Sequence, residues 1–483
     1  MRHRIVVVGG GLGGLVSAAR LAHRGYSVDL FEQNDYVGGK MGRLIFDGCT
    51  FDTGPSLITM PFVLDQFFRD LGTSLASELD LISVEPACRY RWSDGATLDI
   101  PFHTDQIADA VASISPADAH AVERYINDAR TMYEATKDVF IFRPFQGLLE
   151  FFKPRNVSLV RSLSKLRFTK TLHDVHAEYF KDPRIVQLFD RFATYNGSSP
   201  YKAPATLMVI PWVEFGFGAW YPKGGIFSIA EAIERVAIHA GVRIHKNCAV
   251  TRIIGRRNVT GVELFTGDKV AADRVISNVD VHTTRTKLLG EHLPTTKDLS
   301  CSGLVMLMSV QRREFGLAHH NVLFSDNYEE EFTDIFDRRL FPSQPTIYIS
   351  RSCHSDASQA SPDRENWFVL SNAPPSDTLG DDRSWQNADA VLERLQAYGI
   401  QPTIREMQIR SSADMARLWS SEQGALYGRS SNSMISAFLR QQQRSSRVKD
   451  LWYVGGSAHP GGGVPLVIIS GTIAAQQIIE EDS

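Results

Sequence analysis

The first 32 residues constrain the fold more than any other part of the chain. Arg4 to Val8 form a short, mostly β-branched run, the pattern of a central strand buried on both faces. It leads straight into Gly9-Gly10-Gly11-Leu12-Gly13-Gly14, which contains a G-x-G-x-x-G at Gly9, Gly11 and Gly14. Gly9 allows a tight turn, Gly11 lets the backbone approach a pyrophosphate, and Gly14 lets a helix pack closely on the strand. Residues 15–24 carry Leu15, Ala18, Ala19 and Ala22 at helical spacing, Gly25 ends that helix, and a second strand over 26–31 finishes at Glu32. A carboxylate there accepts hydrogen bonds from ribose hydroxyls and repels a 2′-phosphate. Alone, the glycine motif reads equally well as a glycine-rich turn. With strand, helix, strand and acid in register, it predicts a dinucleotide site.

Two further turns bear on the kind of dinucleotide. Gly38-Gly39-Lys40 adds backbone amides and a cation just after the second strand, suited to a pyrophosphate. Phe51-Asp52-Thr53-Gly54-Pro55-Ser56 is a small-residue turn that lets a bulky ring approach the backbone. Together these two segments resemble the start of the phytoene desaturase family of carotenoid-modifying flavoproteins. The resemblance implies FAD and an α/β fold: a Rossmann-like FAD-binding domain of the amine-oxidase/GDP-dissociation-inhibitor type, with an inserted substrate domain and a helical membrane-facing cap.

Later segments extend the resemblance over nearly all 483 residues. Residues 190–211 (DRFATYNGSSPYKAPATLMVIP) and 215–225 (FGFGAWYPKGG) resemble this family, the first being similar to its hydroxycarotenoid 3,4-desaturase and C30 diapocarotenoid desaturase branches. A helix is expected over 226–240, with strands near 242–244, 249–254, 261–265 and 274–277. By resemblance, Val250 meets the adenine and residues 275–280 (VISNVD) return the chain to the FAD domain.

At the C-terminal end, DLWYVGGSAHPGGGVPLVIISGTIAA (450–475) resembles the family's signature. It reads as a buried strand, a glycine turn and an apolar helix from Val464, whose N-terminal amides would face the flavin. The stretch 451–479 holds no charged residue and is long enough to imitate a membrane span, but Pro460, Pro465 and five glycines before Leu466 break it. Ser457 stands where many FAD enzymes carry an Asp, a departure the family shares. The expected cofactor residues are thus Gly9, Gly11, Leu12, Gly13, Gly14, Glu32, Gln33, Gly39, Lys40, Thr53, Gly54, Pro55, Ser56, Val250, Gly456, Val464 and Pro465.

The composition narrows the remaining classes. A net charge of −4 offers no positive field for nucleic acid. Five scattered cysteines without a C-x-x-C pair predict no metal and no disulfide, and a four-residue apolar run after the basic N-terminus is too short for a signal peptide. The expected location is cytoplasmic, at a membrane surface. That surface contact is read from residues 139–172, where seven Lys or Arg and six Phe accompany one acid, within a helical cap over 106–215. A solvated basic face with core aromatics is the competing reading.

The domain plan is an FAD domain in three segments (1–105, 216–290, 431–483) with a cap (106–215) and a substrate domain (291–430) inserted. The expected activity is desaturation of an acyclic carotenoid or polyene. A flavin-dependent cis-trans isomerase and a non-catalytic lipid carrier on the same fold are the alternatives. Only one full G-x-G-x-x-G is present, so a quinone or oxygen is the expected electron acceptor rather than a nicotinamide. No catalytic acid or base is assigned: Arg143 and Glu214 read as surface or salt-bridged groups, His459 as structural, and the pair His319-His320 lacks a third ligand.

Overall fold

The computed structural model describes residues 3–145, 167, 169–376, 383–433 and 440–483. Five parallel strands form one sheet, in the order Leu451–Tyr453, Arg274–Ser277, Arg4–Val8, Ser27–Phe31, Arg243–His245. Arg4–Val8 is central, and its Ile5, Val6, Val7 and Val8 are buried on both sides, as a continuous β-branched run requires. From it the chain crosses to Ser27–Phe31 on one side and later returns as Arg274–Ser277 on the other. A crevice therefore opens beyond the carboxyl end of Arg4–Val8, at the switch in strand order where α/β sheets bind ligands.

Two helices share one side of that crevice. Leu12–His23 starts in the glycine motif and packs against Val464–Glu481. Gly471 makes the fit possible: a Cβ there would lie 2.4 Å from the Gly13 carbonyl oxygen, so the helices meet backbone to backbone. The expected meander divides between two sheets. Val250–Ile254, Gly261–Leu264 and Lys269–Ala271 make a separate three-stranded antiparallel sheet, while Arg274–Ser277 rejoins the parallel one.

A seven-stranded sheet forms the second layer, in the order Ile404–Arg410, Ser302–Gln311, Arg364–Ala373, Ile347–Ser350, His320–Leu323, Cys88–Arg91, Thr97–Ile100. Its last two strands come from the segment 1–105, so hydrogen bonding joins that part of the chain to the sheet of residues 302–410. The cap packs on this end. Ala119–Phe140 buries Val122, Tyr125, Ile126, Ala129, Met132 and Tyr133 at helical spacing. A reciprocal cap between Thr171 and Asp174 starts Leu172–Tyr179, and Asp182 with Pro183 starts Pro183–Asp190. Their aromatic residues interlock: Phe180 stacks on Phe189 at 4.5 Å, and Phe215 meets Phe192 edge-on at 5.4 Å.

Most of the basic, aromatic stretch (146–166 and 168) lies outside the described residues, including Lys153, Arg155, Arg161, Lys165, Phe151, Phe152 and Phe168. Of its described members, Arg143 is exposed, Phe145 is buried, and Arg167 and Lys170 both pair with Glu178. Among the described residues no helix is long and apolar enough to cross a membrane.

Candidate functional site

One cavity of about 660 Å³ runs from the crevice to the cap. Of the residues expected to meet the cofactor, all line it except Gly13 and Gly14, which sit behind the turn in the first helix. At the glycine end the backbone is stripped of side chains. Gly9 has φ +92°, and a Cβ on Gly39 would stand 3.2 Å from the Gly11 Cα, so the two glycine turns touch each other. Glu32 is buried and accepts hydrogen bonds from the Gly10 amide at 2.7 Å and from the Asn34 amide and side chain at 2.9 Å. Burial pushes its carboxyl up from the ordinary value, against the donors that hold it down.

Asn278 was not singled out among the site residues, although it lies within the quoted return strand. Its Oδ1 accepts the Gly14 amide at 2.9 Å, tying the return strand to the helix start. A Cβ on Gly11 would come within 2.3 Å of Asn278 Nδ2, so Gly11 is needed for this internal contact as well as for ligand approach. Lys40 is directed at the Leu426 carbonyl, and burial lowers its ammonium to about 8. A Cβ on Gly54 would lie 2.1 Å from the Lys40 carbonyl oxygen, which is why the second turn needs glycine there. The Ser56 hydroxyl shares a 2.6 Å hydrogen bond with Tyr348, whose hydroxyl also meets His320 Nδ1 at 2.7 Å.

The C-terminal turn is bare in the same way. Gly463 (φ +106°) precedes Val464–Glu481, so the first amides of that helix face the cavity with Val464 and Pro465. A Cβ on Gly462 would collide with Tyr427 at 2.1 Å. Ser457 Oγ accepts the Val281 amide at 3.0 Å, and His459 Nε2 bonds the Arg143 carbonyl at 2.9 Å, joining the turn to the cap. Burial lowers the His459 imidazole to about 4 and keeps it neutral.

Toward the cap the lining becomes apolar, with Met60, Met132, Ile141, Leu207, Ile210 and Val213, interrupted by a buried ionic cluster. Arg191 lies 4.8 to 5.2 Å from the rings of Tyr90, Phe192 and Tyr195, donates to the Tyr90 hydroxyl at 2.7 Å and pairs with Glu214 at 3.5 Å. Tyr195 donates to the same Glu214 carboxylate. Glu214 is therefore salt-bridged within the core. Arg191 and Tyr195 lie on one 3-10 turn, Arg191–Asn196, and both reach Glu214. The histidine pair is divided: His319 Nδ1 meets Ser355 at 2.8 Å while His320 turns to Tyr348, and burial holds both neutral.

The two bare glycine turns, the acid between them and the helix starts fit a flavin dinucleotide: amides for the pyrophosphate, Glu32 for a ribose, and unobstructed backbone for the ring. The family model for flavin containing amine oxidoreductases matches residues 12–479. The chain is 33% identical to a 1-hydroxycarotenoid 3,4-desaturase of Flavobacterium sp. (strain P99-3), over 98% of this chain and 99% of that protein. It is 32% identical to a 4,4'-diapolycopene oxygenase of Methylomonas sp, over 99% and 98%. Among solved structures, an oxidoreductase from Methanosarcina mazei superposes with a TM-score of 0.68 at 18% identity, covering 99% of this chain and 100% of that one.

Proposed function

The chain belongs to the family of flavin containing amine oxidoreductases, and from that premise we propose that it is an FAD-dependent desaturase that introduces double bonds into an acyclic carotenoid. The observation that carries this reading is the continuity of the cavity from bare glycine turns to an apolar chamber under an aromatic cap. A hydrocarbon offers no polar handle, so it has to be held by shape in such a chamber. Bound FAD supplies the two-electron oxidant that a CH–CH bond needs. The amides after Gly11 and the Gly39-Lys40 turn hold the pyrophosphate, Glu32 and Gln33 the ribose, and Val250 the adenine side. Thr53, Gly54, Pro55, Gly456, Val464 and Pro465 border the ring. Met132, Ile141, Ile210 and Val213 exclude water and align the chain of the substrate against it.

The FAD domain comprises 1–105, 216–290 and 431–483, except that 88–100 belong by pairing to the substrate sheet. The electron acceptor is a quinone or oxygen, and the basic stretch over 139–172 brings the enzyme to the membrane that stores its substrate. A second reading, oxygenation of a polyene, is favoured by the nearly equal similarity to the diapolycopene oxygenase. Purified holoenzyme incubated with C30 and C40 polyenes, with and without a 1-hydroxyl, separates these. Desaturation gives a red-shifted product lighter by two hydrogens; a heavier product containing oxygen supports the second reading. Conversion at unchanged mass would mean isomerisation, and protein that binds polyene but no flavin would be a carrier.

A further inference from the structure

Arg440 is buried, lines the cavity beside the C-terminal glycine turn, and forms no ion pair among the described residues. Among the described residues its guanidinium donates to backbone carbonyls: Tyr427 at 3.0 Å, Arg429 at 3.2 Å and Gly456 at 3.4 Å. Burial, and after it the neighbouring cation Arg429, lowers the guanidinium to about 10, so it stays positive at neutral pH. The carbonyls solvate the guanidinium but carry no net charge, so a buried cation beside a like charge stays costly until an anion shares the site.

The neighbours of Arg440 say which anion this is. The pyrophosphate end of the cavity has its own donors in the helix start at Leu12 and the Gly39-Lys40 turn. Arg440 instead touches Gly456 and packs under Gly461, where a Cβ would lie 3.4 Å from its Nε, at the turn that leads into Val464–Glu481. That turn borders the ring in the reading above.

We infer that Arg440 is the fixed positive charge that balances the negative charge placed on the N1–C2=O edge of the flavin when the enzyme is reduced. The amides at the start of Val464–Glu481 share this work. The inference rests on the flavin assignment and not on the polyene, so its measurements use no polyene and can fail independently of the proposed substrate.

The test compares FAD-loaded wild type, Arg440→Lys and Arg440→Met by dye-coupled reduction and by titration with sulfite, whose adduct at N5 also leaves negative charge on the ring. In Arg440→Met the oxidised–reduced equilibrium should move at least tenfold toward the oxidised form, about 30 mV for a two-electron couple. Sulfite affinity should fall at least tenfold, and Arg440→Lys should recover most of both. FAD lost from the methionine variant but kept by the lysine variant is the same dependence on charge expressed in binding. Unchanged potential and sulfite affinity in FAD-loaded Arg440→Met overturn the inference. So do a lysine variant that behaves like the methionine one and loss of FAD from both, which would reduce Arg440 to a tie on the 427–429 segment.

Discussion

The two ends of the cavity are built from opposite materials. At the cofactor end, Gly9, Gly11, Gly39, Gly54 and Gly462 form the surface by having no side chains, and the closest approaches are backbone to backbone or to Asn278 and Tyr427. At the cap end, Met132, Ile141, Leu207, Ile210, Val213 and Tyr195 form the surface with side chains beside a buried ion pair. The first end can be ruined by adding a single carbon. The second should tolerate apolar exchanges of similar volume but not an unpaired charge.

The largest effect expected from this contrast is at Gly11. Gly11→Val pushes a side chain into the space where Asn278 Nδ2 would be 2.3 Å from the Cβ, and it fills the approach to the pyrophosphate. Purified variant should lack flavin absorbance. Retained FAD at wild-type stoichiometry would remove the glycine turn from the cofactor site.

At the cap end, Arg191→Met strands Glu214 in the core and should destabilise the protein by about 3 kcal/mol in denaturant titration. The double variant Arg191→Met with Glu214→Gln should be more stable than the single one, because no buried charge is then left alone. Equal stability of the two would show that a lone Glu214 carboxyl costs the core nothing.

The same contrast explains what could be read in the sequence. Backbone-made sites need glycine at fixed spacing, so Gly9, Gly11, Gly14 and the turns at 38–40 and 53–56 stand out in one dimension, and Glu32 is found by counting from them. Four of the five parallel strands were legible because they are short, mainly apolar runs bounded by turn residues. Asn278, Arg191 and Tyr348 were missed because partners of each lie far off in sequence: Asn278 meets Gly14, Arg191 meets Tyr90, and Tyr348 meets Ser56. The pairing of Cys88–Arg91 with His320–Leu323 was hidden for the same reason, since a parallel register between segments so far apart leaves no local periodicity.

A smaller effect sharpens the comparison through pH. Burial, with Arg191 nearby, lowers His320 from 6.5 to about 3. As pH falls, the unfolded chain therefore takes the proton first, and stability present above pH 6.5 is lost progressively toward the folded value. Between pH 7 and pH 5 this one group should cost about 2 kcal/mol. Asp52 and Glu331, raised by burial to about 6 and about 7, act with the opposite sign, so the difference between wild type and His320→Gln isolates the histidine. Melting curves for the variant should show a shallower loss over this interval. An identical pH slope in the two proteins would mean that His320 takes up its proton in the fold as readily as in the unfolded chain.

The smallest effect tests where the two ends meet. Ser56 was expected to serve the cofactor, yet its hydroxyl is shared with Tyr348, and through it with His320 on the seven-stranded sheet. Ser56→Ala removes one half-buried hydrogen bond and should lower stability by about 1 kcal/mol. FAD affinity should be unchanged, because a backbone turn containing Gly54 does not need that hydroxyl to keep its shape. Tyr348→Phe, which breaks the chain at its middle and leaves both Ser56 and His320 without that partner, should cost more than Ser56→Ala. If Ser56→Ala instead weakens FAD binding while the melting temperature holds, Ser56 belongs to the cofactor end, and that end is built partly from side chains after all.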